Sequence, residues 1–117
     1  MNNLMIDLES MGKKPNAPIV SIGAVFFDPQ SGELGQEFYT AVNLESAMEQ
    51  GAVPDGDTIL WWLRQSSEAR SAICVDDAMP ISSALSELSD FINRHSDNPK
   101  YCGFRSKARY AIRWGCT

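Results

Sequence analysis

Three short apolar runs open the chain, and breaks rich in glycine and proline separate them. Their Val, Ile, Leu and Phe content predicts strands over residues 3–9 and 18–28, and an alternating pattern predicts a third over residues 36–43. A proline-to-glycine turn over residues 28–32 separates the last two strands. Because both connections are too short to hold a crossover helix, we expect all three strands to run antiparallel. Alternation in the third strand assigns two opposite faces, one with Phe38, Thr40 and Val42 and the other with Tyr39 and Ala41.

After residue 43, apolar residues no longer alternate with polar ones but recur at the three- and four-residue spacing of a helix face. We predict a short helix over residues 44–50, a second helix with Asp57 as its N-cap and the sequence TILWWLRQSSEAR, and a third over residues 80–95. The apolar stripe of the second helix comprises Ile59, Leu60, Trp62 and Leu63. That of the third comprises Ile81, Ala84, Leu85, Leu88, Phe91 and Ile92. Three strands followed by helices indicate the α/β class, with a mixed sheet if a further strand follows the last helix.

Length and composition favour one soluble, cytoplasmic domain. The chain has 117 residues, which suffices for one domain, and it contains no apolar run long enough to span a membrane. The acidic N-terminus lacks the basic flank and longer apolar core of a signal peptide. Three cysteines without C-x-x-C spacing argue against a disulfide framework and a zinc site, so we expect reduced thiols.

Charge is distributed unevenly along the chain. All 15 acidic residues lie in residues 1–100 with only six of the ten Lys and Arg residues, whereas residues 101–117 carry four basic residues and no acid. An acidic domain does not attract nucleic acid through its overall field. A phosphodiester bound there would therefore require metal ions to neutralise the local negative charge.

Asp7 and Glu9 are the candidate chemical groups of the first strand. Because they lie two residues apart in a strand, their side chains leave the same face, with Cα atoms roughly 6.5–7 Å apart. Carboxylates at this spacing can bind one or two Mg²⁺ ions, and a metal would compensate two charges in an apolar strand. In the alternative, the pair is solvated or paired with Lys13 and Lys14. The D-x-E pattern alone does not distinguish these interpretations.

Several segments together resemble a known family. The runs IDLESMG and IVSIGAVFFD, followed by a turn, a third strand and a helix that opens with TILWWLRQ, resemble the DEDD superfamily of 3′–5′ exonucleases. Within it, the likeness points to Rv2179c-type exoribonuclease domains and to phage and prophage proteins labelled exodeoxyribonuclease VIII. The resemblance covers about residues 3–100. It implies an RNase H-like α/β fold with a mixed sheet, and hydrolysis of phosphodiester bonds at the 3′ ends of nucleic acids.

The resemblance also implies which residues act. Asp7 and Glu9 would be the catalytic residues that bind the Mg²⁺ (or Mn²⁺) ions of a two-metal mechanism. The partner would be the 3′ end of single-stranded DNA or RNA, contacted by the substrate-binding residues Ser10, Met11, Gly12, Trp61 and Trp62. A base stacked on an aromatic side chain gains about 1–3 kcal/mol. Because neighbouring residues are about 100° apart on a helix, we expect Trp62 in the core stripe and Trp61 at the surface.

The family pattern also contains residues that have no counterpart here. The pattern has four acidic ligands and a general-base histidine, but no Asp, Glu or His follows Asp97 in this chain. The single histidine, His95, lies at the predicted end of a helix, where it favours the helix dipole rather than a catalytic role. We therefore expect residues 1–100 to be the N-terminal portion of a truncated exonuclease domain, and residues 101–117 to be a divergent basic tail.

Two interpretations of the tail stay open. The tail could arise from a frame-shift, or it could be a basic arm that touches nucleic acid, because aromatic residues interleave with Arg105, Lys107, Arg109 and Arg113. The alternative function is then a catalytically inactive nucleic-acid-binding or interaction remnant, or a folding fragment. Without the later covering elements, we also expect exposed apolar sheet surface and a homodimer or another partner that covers it.

A frame-shift makes a prediction about the encoding DNA. We expect one of the other two reading frames after codon 100 to continue with a segment that contains the missing Asp and His residues. Translation of that region in all frames checks this expectation. Two frames that both lack such a segment would remove the frame-shift interpretation.

Overall fold

The computed structural model describes residues 3–96, together with the backbone of residues 100–106 and 111–112. Its elements in chain order are β1 (Asn3–Ser10), β2 (Ile19–Phe27), β3 (Leu34–Ala41), α1 (Leu44–Glu49), α2 (Gly56–Leu63), α3 (Ser67–Ile73), α4 (Ile81–His95), β4 (Lys100–Ser106) and β5 (Ala111–Ile112). Within this described part of the chain, five strands form one sheet in the order β3-β2-β1-β4-β5. The predicted α/β class, with three strands followed by helices, is confirmed.

The first strand lies at the centre of the sheet and pairs on both sides. β1 runs antiparallel to β2, with Asp7 opposite Gly23 and Glu9 opposite Ser21. β2 in turn runs antiparallel to β3. On its other side β1 runs parallel to β4, so the sheet is mixed, as expected for a strand that follows the last helix. Pairing on both sides fixes which side chains of β1 point to each face of the sheet.

The turn between β2 and β3 occupies the predicted position. The Gly32 N–H donates to the Asp28 carbonyl at 2.8 Å, and Gly32 has a φ of 76°, which glycine adopts without strain. The Asp28 carboxylate accepts the Gln30 N–H at 2.9 Å. This hydrogen bond, aided by others from Ser31, holds the pKa of Asp28 below its ordinary value. Local hydrogen bonds therefore define the hairpin that brings β3 beside β2.

Helix α4 covers one face of the sheet. Leu4 and Leu8 of β1 are buried in the two apolar clusters beneath this helix. The Phe91 ring of α4 lies 5.4 Å from the ring of Phe26 and 5.4 Å from the ring of Phe38. Phe38 therefore faces the core, as alternation along β3 predicts. The even-numbered positions of β1 and the inner side of α4 thus form one apolar layer.

The predicted second helix is wrong in two respects. The N-cap of α2 is Asp55 rather than Asp57. The helix also ends at Leu63 instead of continuing, and α3 begins after Ser66, whose hydroxyl accepts a first-turn N–H at 3.2 Å. A serine in this position starts a new helix because it satisfies a donor that has no partner within the helix.

The burial of individual side chains contradicts most of the apolar stripe predicted for α2 and one position of the stripe predicted for α4. Of the four residues predicted for α2, only Trp62 is buried, and Leu60 and Leu63 are 51% and 60% exposed. In α4, Leu85 is 48% exposed, whereas the other five predicted residues pack in the apolar clusters beneath the helix. Helix α2 meets the rest of the described chain along a narrow line, so it buries fewer residues than its apolar pattern contains. In α2 that line is formed by Trp62 and the fully buried Thr58, which lie one turn apart.

Some of the predictions concern side chains near the C-terminal end of the chain that the structure does not describe. The side chains of residues 97–117 are not described, so the predicted basic arm and the thiols of Cys102 and Cys116 lie outside it. Cys74 is exposed and forms no disulfide within the described part of the chain. No helix in the described residues has the length and apolar character needed to cross a bilayer. The domain boundary at residue 100 stays a prediction.

The two sides of α4 should contribute unequally to stability. We expect Phe91→Ala to lower the free energy of unfolding by about 3–5 kcal/mol, because it removes a ring buried against the sheet. Leu85→Ala, on the exposed side of the same helix, should change it by less than about 0.5 kcal/mol. Urea denaturation followed by circular dichroism measures both variants. Equal losses would contradict the placement of α4 on the sheet.

Candidate functional site

The acidic side chains of β1 point to the face of the sheet opposite α4. Leu4, Ile6 and Leu8 pack beneath α4, so Asp7 and Glu9, at the alternate positions, leave the other face. Both acidic residues are half-buried. The two carboxylates therefore share one face, as the two-residue period of a strand predicts.

The two carboxylates differ in their hydrogen bonds. Glu9 accepts a hydrogen bond at Oε2 from the Ser21 hydroxyl, with a distance of 3.0 Å. Asp7 Oδ1 is buried and has no hydrogen-bond partner among the described residues. Burial of a carboxylate oxygen is costly unless a donor or a cation compensates it. The surroundings of Asp7 thus suit a cation that comes from outside the chain.

Other acidic or imidazole groups do not complete a metal cluster in the described part of the chain. No group of three or more His, Cys, Asp or Glu side chains there is arranged to hold a metal ion. His95 is the last residue of α4, and its ring lies 5.0 Å from that of Phe91, in the layer on the opposite face of the sheet. Asp7 and Glu9 would therefore supply two ligands to an ion, with water or ligand oxygens in the other positions.

Tyr39, which belongs to no functional motif recognised in the sequence, borders the carboxylates. Asp7, Gly23 and Tyr39 are paired directly across β1, β2 and β3, so they form one row on the acidic face. The Tyr39 side chain is 59% exposed, and its hydroxyl donates to the Ala72 carbonyl at 3.5 Å. Alternation along β3 predicted the face of Tyr39, but only strand pairing shows that this face is shared with Asp7.

Two depressions adjoin this row, and Tyr39 lines both. One has a volume of about 560 Å³ and includes Asp7 and Gly23. The other has a volume of about 520 Å³, is bounded by α2 and α3, and includes Glu9 and Trp61. Each carboxylate therefore borders its own depression, and the tyrosine ring lies at the boundary between them.

The turn after β1 is tightly packed. Ser10 and Met11 are buried, and the Ser10 hydroxyl donates to the Gly12 carbonyl at 2.8 Å. The Met11 N–H donates to the Pro18 carbonyl at 2.9 Å, and the Met11 carbonyl accepts the Asp55 N–H at 3.0 Å. A ligand that approaches this turn would therefore meet backbone rather than the side chains of Ser10 and Met11.

Lys13 is engaged at the start of α2. Its backbone N–H donates to Asp55 Oδ2 at 2.7 Å, and its ammonium group forms an ion pair with Asp57. Lys13 therefore does not neutralise the negative charge of Asp7 or Glu9, as one alternative had it.

The two tryptophans of α2 have different environments: Trp62 lies in the core as expected, whereas Trp61, expected at the surface, is half-buried and packs against the cluster that contains Trp62. Trp62 is buried, and its Nε1–H donates to the Ser10 carbonyl at 3.0 Å. Trp61 is half-buried and meets Trp62 edge-on, with ring centroids 5.0 Å apart. Both border the depression beside Glu9, but Trp61 has the more accessible ring. Trp62 thus anchors the turn after β1, and Trp61 is the better placed of the two for a ligand.

Comparison with known proteins identifies the family to which this arrangement corresponds. A family model described as the 3′–5′ exoribonuclease Rv2179c-like domain matches residues 2–111. The chain belongs to this family. The matched range of this Rv2179c-like chain includes the carboxylates of β1, the tryptophans of α2 and the backbone of β4. The family predicted from the sequence is confirmed.

A phage protein and a solved structure are also similar to this Rv2179c-like chain. It is 28% identical over 107 residues to an exodeoxyribonuclease of Enterobacteria phage T4, across 85% of this chain and 47% of the phage protein. A crystal structure of a full-length 3′-exonuclease matches with a TM-score of 0.55 at 15% identity, across 89% of this chain and 33% of that one. The second similarity concerns the fold alone. The chain spans about half the length of the phage relative.

Gly12 is expected to tolerate no larger side chain. A Cβ at this position would lie 2.8 Å from the Cβ of Ala17 and 3.3 Å from Asp55 Oδ2. We therefore expect Gly12→Ala to lower the free energy of unfolding by about 1–3 kcal/mol, as overpacking does elsewhere. Adding Ala17→Gly removes the closest of these contacts and should recover part of the loss. Chemical denaturation measures the single and double variants.

Gly56→Ala is a matched control for this prediction. No atom lies within 4 Å of a Cβ at Gly56, and this residue begins α2. The substitution should leave stability unchanged or raise it by up to about 1 kcal/mol, since alanine favours helices. If Gly12→Ala were as stable as Gly56→Ala, the close packing of the turn would be contradicted.

Proposed function

We propose that this chain acts as a 3′–5′ exonuclease domain that hydrolyses phosphodiester bonds at nucleic-acid 3′ ends by a two-metal mechanism. The observation that carries the proposal is the buried Oδ1 of Asp7, which has no hydrogen-bond partner in the described residues and lies on the same face as Glu9. A carboxylate oxygen in this state is expected to attract a cation. Membership of an exonuclease family supports the same chemistry.

Asp7 and Glu9 are the proposed ligands of Mg²⁺ or Mn²⁺. Carboxylate oxygens are hard ligands, and both ions favour such ligands. Ions bound there would lower the pKa of an attacking water and stabilise the leaving oxygen of the phosphodiester. The Ser21 hydroxyl orients the Glu9 carboxylate through its hydrogen bond to Oε2. Asp7 and Glu9 themselves would hold the scissile phosphate near the strand through the ions that they bind.

The turn after β1 and the Trp61 side chain of α2 are proposed to contact the terminal nucleotide. The backbone of this turn would face the sugar. The side chains of Ser10 and Met11 are buried, and Gly12, as a glycine, has no side chain. Trp61 borders the depression beside Glu9 and offers a ring on which a base can stack. Trp62 would act indirectly, by positioning other groups. Its hydrogen bond holds the Ser10 carbonyl of the turn, and its ring packs edge-on against that of Trp61.

The proposed substrate is a single-stranded nucleic acid with an accessible 3′ end. The matching family is described as exoribonuclease, whereas the phage relative is named an exodeoxyribonuclease. DNA and RNA strands labelled at the 5′ end therefore both belong in the assay, and Mg²⁺ should produce a ladder that shortens from the 3′ end. Binding that falls with salt, without any cleavage, would instead favour a catalytically inactive nucleic-acid-binding protein.

Single amide substitutions test the two carboxylates. Asp7→Asn and Glu9→Gln should each lower the rate of metal-dependent cleavage by about 100-fold or more, because each removes a charged metal ligand with little change in shape. Glu87→Gln changes an exposed acid of α4 and should leave the rate unchanged. Cleavage that survives replacement of both residues by alanine would show that the site has been assigned wrongly.

Metal binding can also be measured without any cleavage. Mg²⁺ at ten times its dissociation constant should raise the free energy of unfolding of the native chain by about 1.4 kcal/mol. Asp7→Asn should lose this increment, whereas Glu87→Gln should keep it. Thermal denaturation with and without Mg²⁺ provides the comparison, and equal increments in all three proteins would argue against Asp7 as a ligand.

A further inference from the structure

The row formed by Asp7, Gly23 and Tyr39 has a gap at its centre. Gly23 lies in the interior of β2, where it carries no side chain between the carboxylate and the aromatic ring. A Cβ at Gly23 would lie 3.6 Å from the Asp7 carbonyl oxygen and 3.9 Å from Cδ2 of Tyr39, which are ordinary contact distances. The backbone of Gly23 is also outside the left-handed region that favours glycine. Neither packing nor backbone conformation therefore requires a glycine here.

A glycine that the fold does not require has a cost. Glycine inside a strand loses more conformational freedom on folding than other residues and packs no side chain, so it weakens a sheet. Such a residue often marks a place where a ligand comes close to the backbone. Here the bare backbone lies in the depression that also includes Asp7. The gap is therefore best explained as space for a ligand.

Tyr39 forms one wall of this gap. Tyr39 is exposed, yet its hydroxyl donates a hydrogen bond to the Ala72 carbonyl of α3. An aromatic ring with few rotatable bonds gives up little entropy when a flat group stacks on it. The backbones of Asp7 and Tyr39 are two strand spacings apart, about 10 Å, which leaves room for a planar ring above Gly23.

The charge around Tyr39 indicates which part of a nucleotide it contacts. Glu37 lines the depression that includes Asp7, and Glu68 lines the one that includes Glu9. Acidic side chains repel a phosphate that no metal ion neutralises. A neutral nucleobase does not incur this repulsion, and it also matches the flat face of the ring. The group that suits Tyr39 is therefore a base.

We propose that Tyr39 is a substrate-binding residue that stacks on a nucleobase within the last three nucleotides of the 3′ end, with Gly23 as the open floor beside it. The ring then separates two nucleotide positions, one above Gly23 and one beside Trp61. The proposal rests on the proposed function for its substrate class. The contact itself requires only binding, so it can be tested apart from catalysis.

Abasic strands and Tyr39 variants test the contact together. The ligand is a short fluorescent single strand with 3′ phosphorothioate linkages that resist hydrolysis, and its affinity is measured by fluorescence anisotropy. Tyr39→Ala should weaken binding by about tenfold, whereas Tyr39→Phe, which keeps the ring, should bind within about twofold of the native chain. Three further strands each lack the base at one of the last three positions. At one of these three positions, loss of the base should weaken binding to the native chain but should not weaken binding to the Tyr39→Ala variant.

Gly23→Ala tests the floor of the same site. The added methyl group fits the fold, so the denaturation midpoint should stay the same or rise, but affinity for the intact strand should fall by about fivefold or more because the methyl occupies space reserved for the base. Gly56→Ala, which adds a methyl where no atom lies within 4 Å of it, should leave affinity unchanged. If Gly23→Ala failed to fold, folding itself would require glycine at this position. The Tyr39 variants alone would then test the stacking contact.

The possible failures are distinguishable. If the effects of Tyr39→Ala and of every abasic position simply add, or if the native chain does not bind the strand, the stacking proposal is overturned. If Tyr39 and one base are coupled but Mg²⁺ and Mn²⁺ produce no cleavage of an ordinary strand, the contact stands and the exonuclease proposal fails.

Discussion

The position of β1 at the centre of the sheet is the constraint on which the rest of the structure depends. Because β2 and β4 pair with it on its two sides, its register cannot slip without breaking two ladders. A slip of one residue would turn Asp7 and Glu9 under α4 and expose Leu8. Burial of Leu4 and Leu8 therefore does more than stabilise the core, since it also keeps both carboxylates on the opposite face. The apolar layer holds the acidic site in place.

The two faces of the sheet consequently have different physical characters. Beneath α4, aromatic and aliphatic side chains are buried and packed against one another. On the other face, Asp7 has a buried oxygen without a partner in the described residues, Gly23 leaves the middle of β2 without a side chain, and Tyr39 is 59% exposed. The first two features cost stability, the exposed Tyr39 gains little from burial, and all three lie in one row. Such a concentration of unfavourable features is typical of a functional site, where binding rather than folding has determined the residues.

The turn after β1 connects the carboxylates to the helices. Trp62 donates a hydrogen bond to the Ser10 carbonyl, and the Met11 carbonyl accepts one from Asp55 at the start of α2. These long-range contacts hold α2 against the end of the strand, and as a result Trp61 lies beside Glu9. The two tryptophans thus differ in environment, because Trp62 is buried and hydrogen-bonded to the turn, whereas Trp61 is half-buried and lines the depression beside Glu9.

The sequence by itself determined the antiparallel order of the first three strands, the common face of Asp7 and Glu9, and the family. A strand has a period of two, and short connections permit few topologies, so these features depend on local information. It did not reveal the break before α3 or the exposure of Leu60 and Leu63, because burial depends on how closely α2 meets the distant turn after β1. The sequence also predicted on which side of β3 the Tyr39 side chain lies, but it did not predict which residues surround that side chain. Only the pairing of β3 with β2, and of β2 with β1, decided that this ring would stand beside the catalytic candidates.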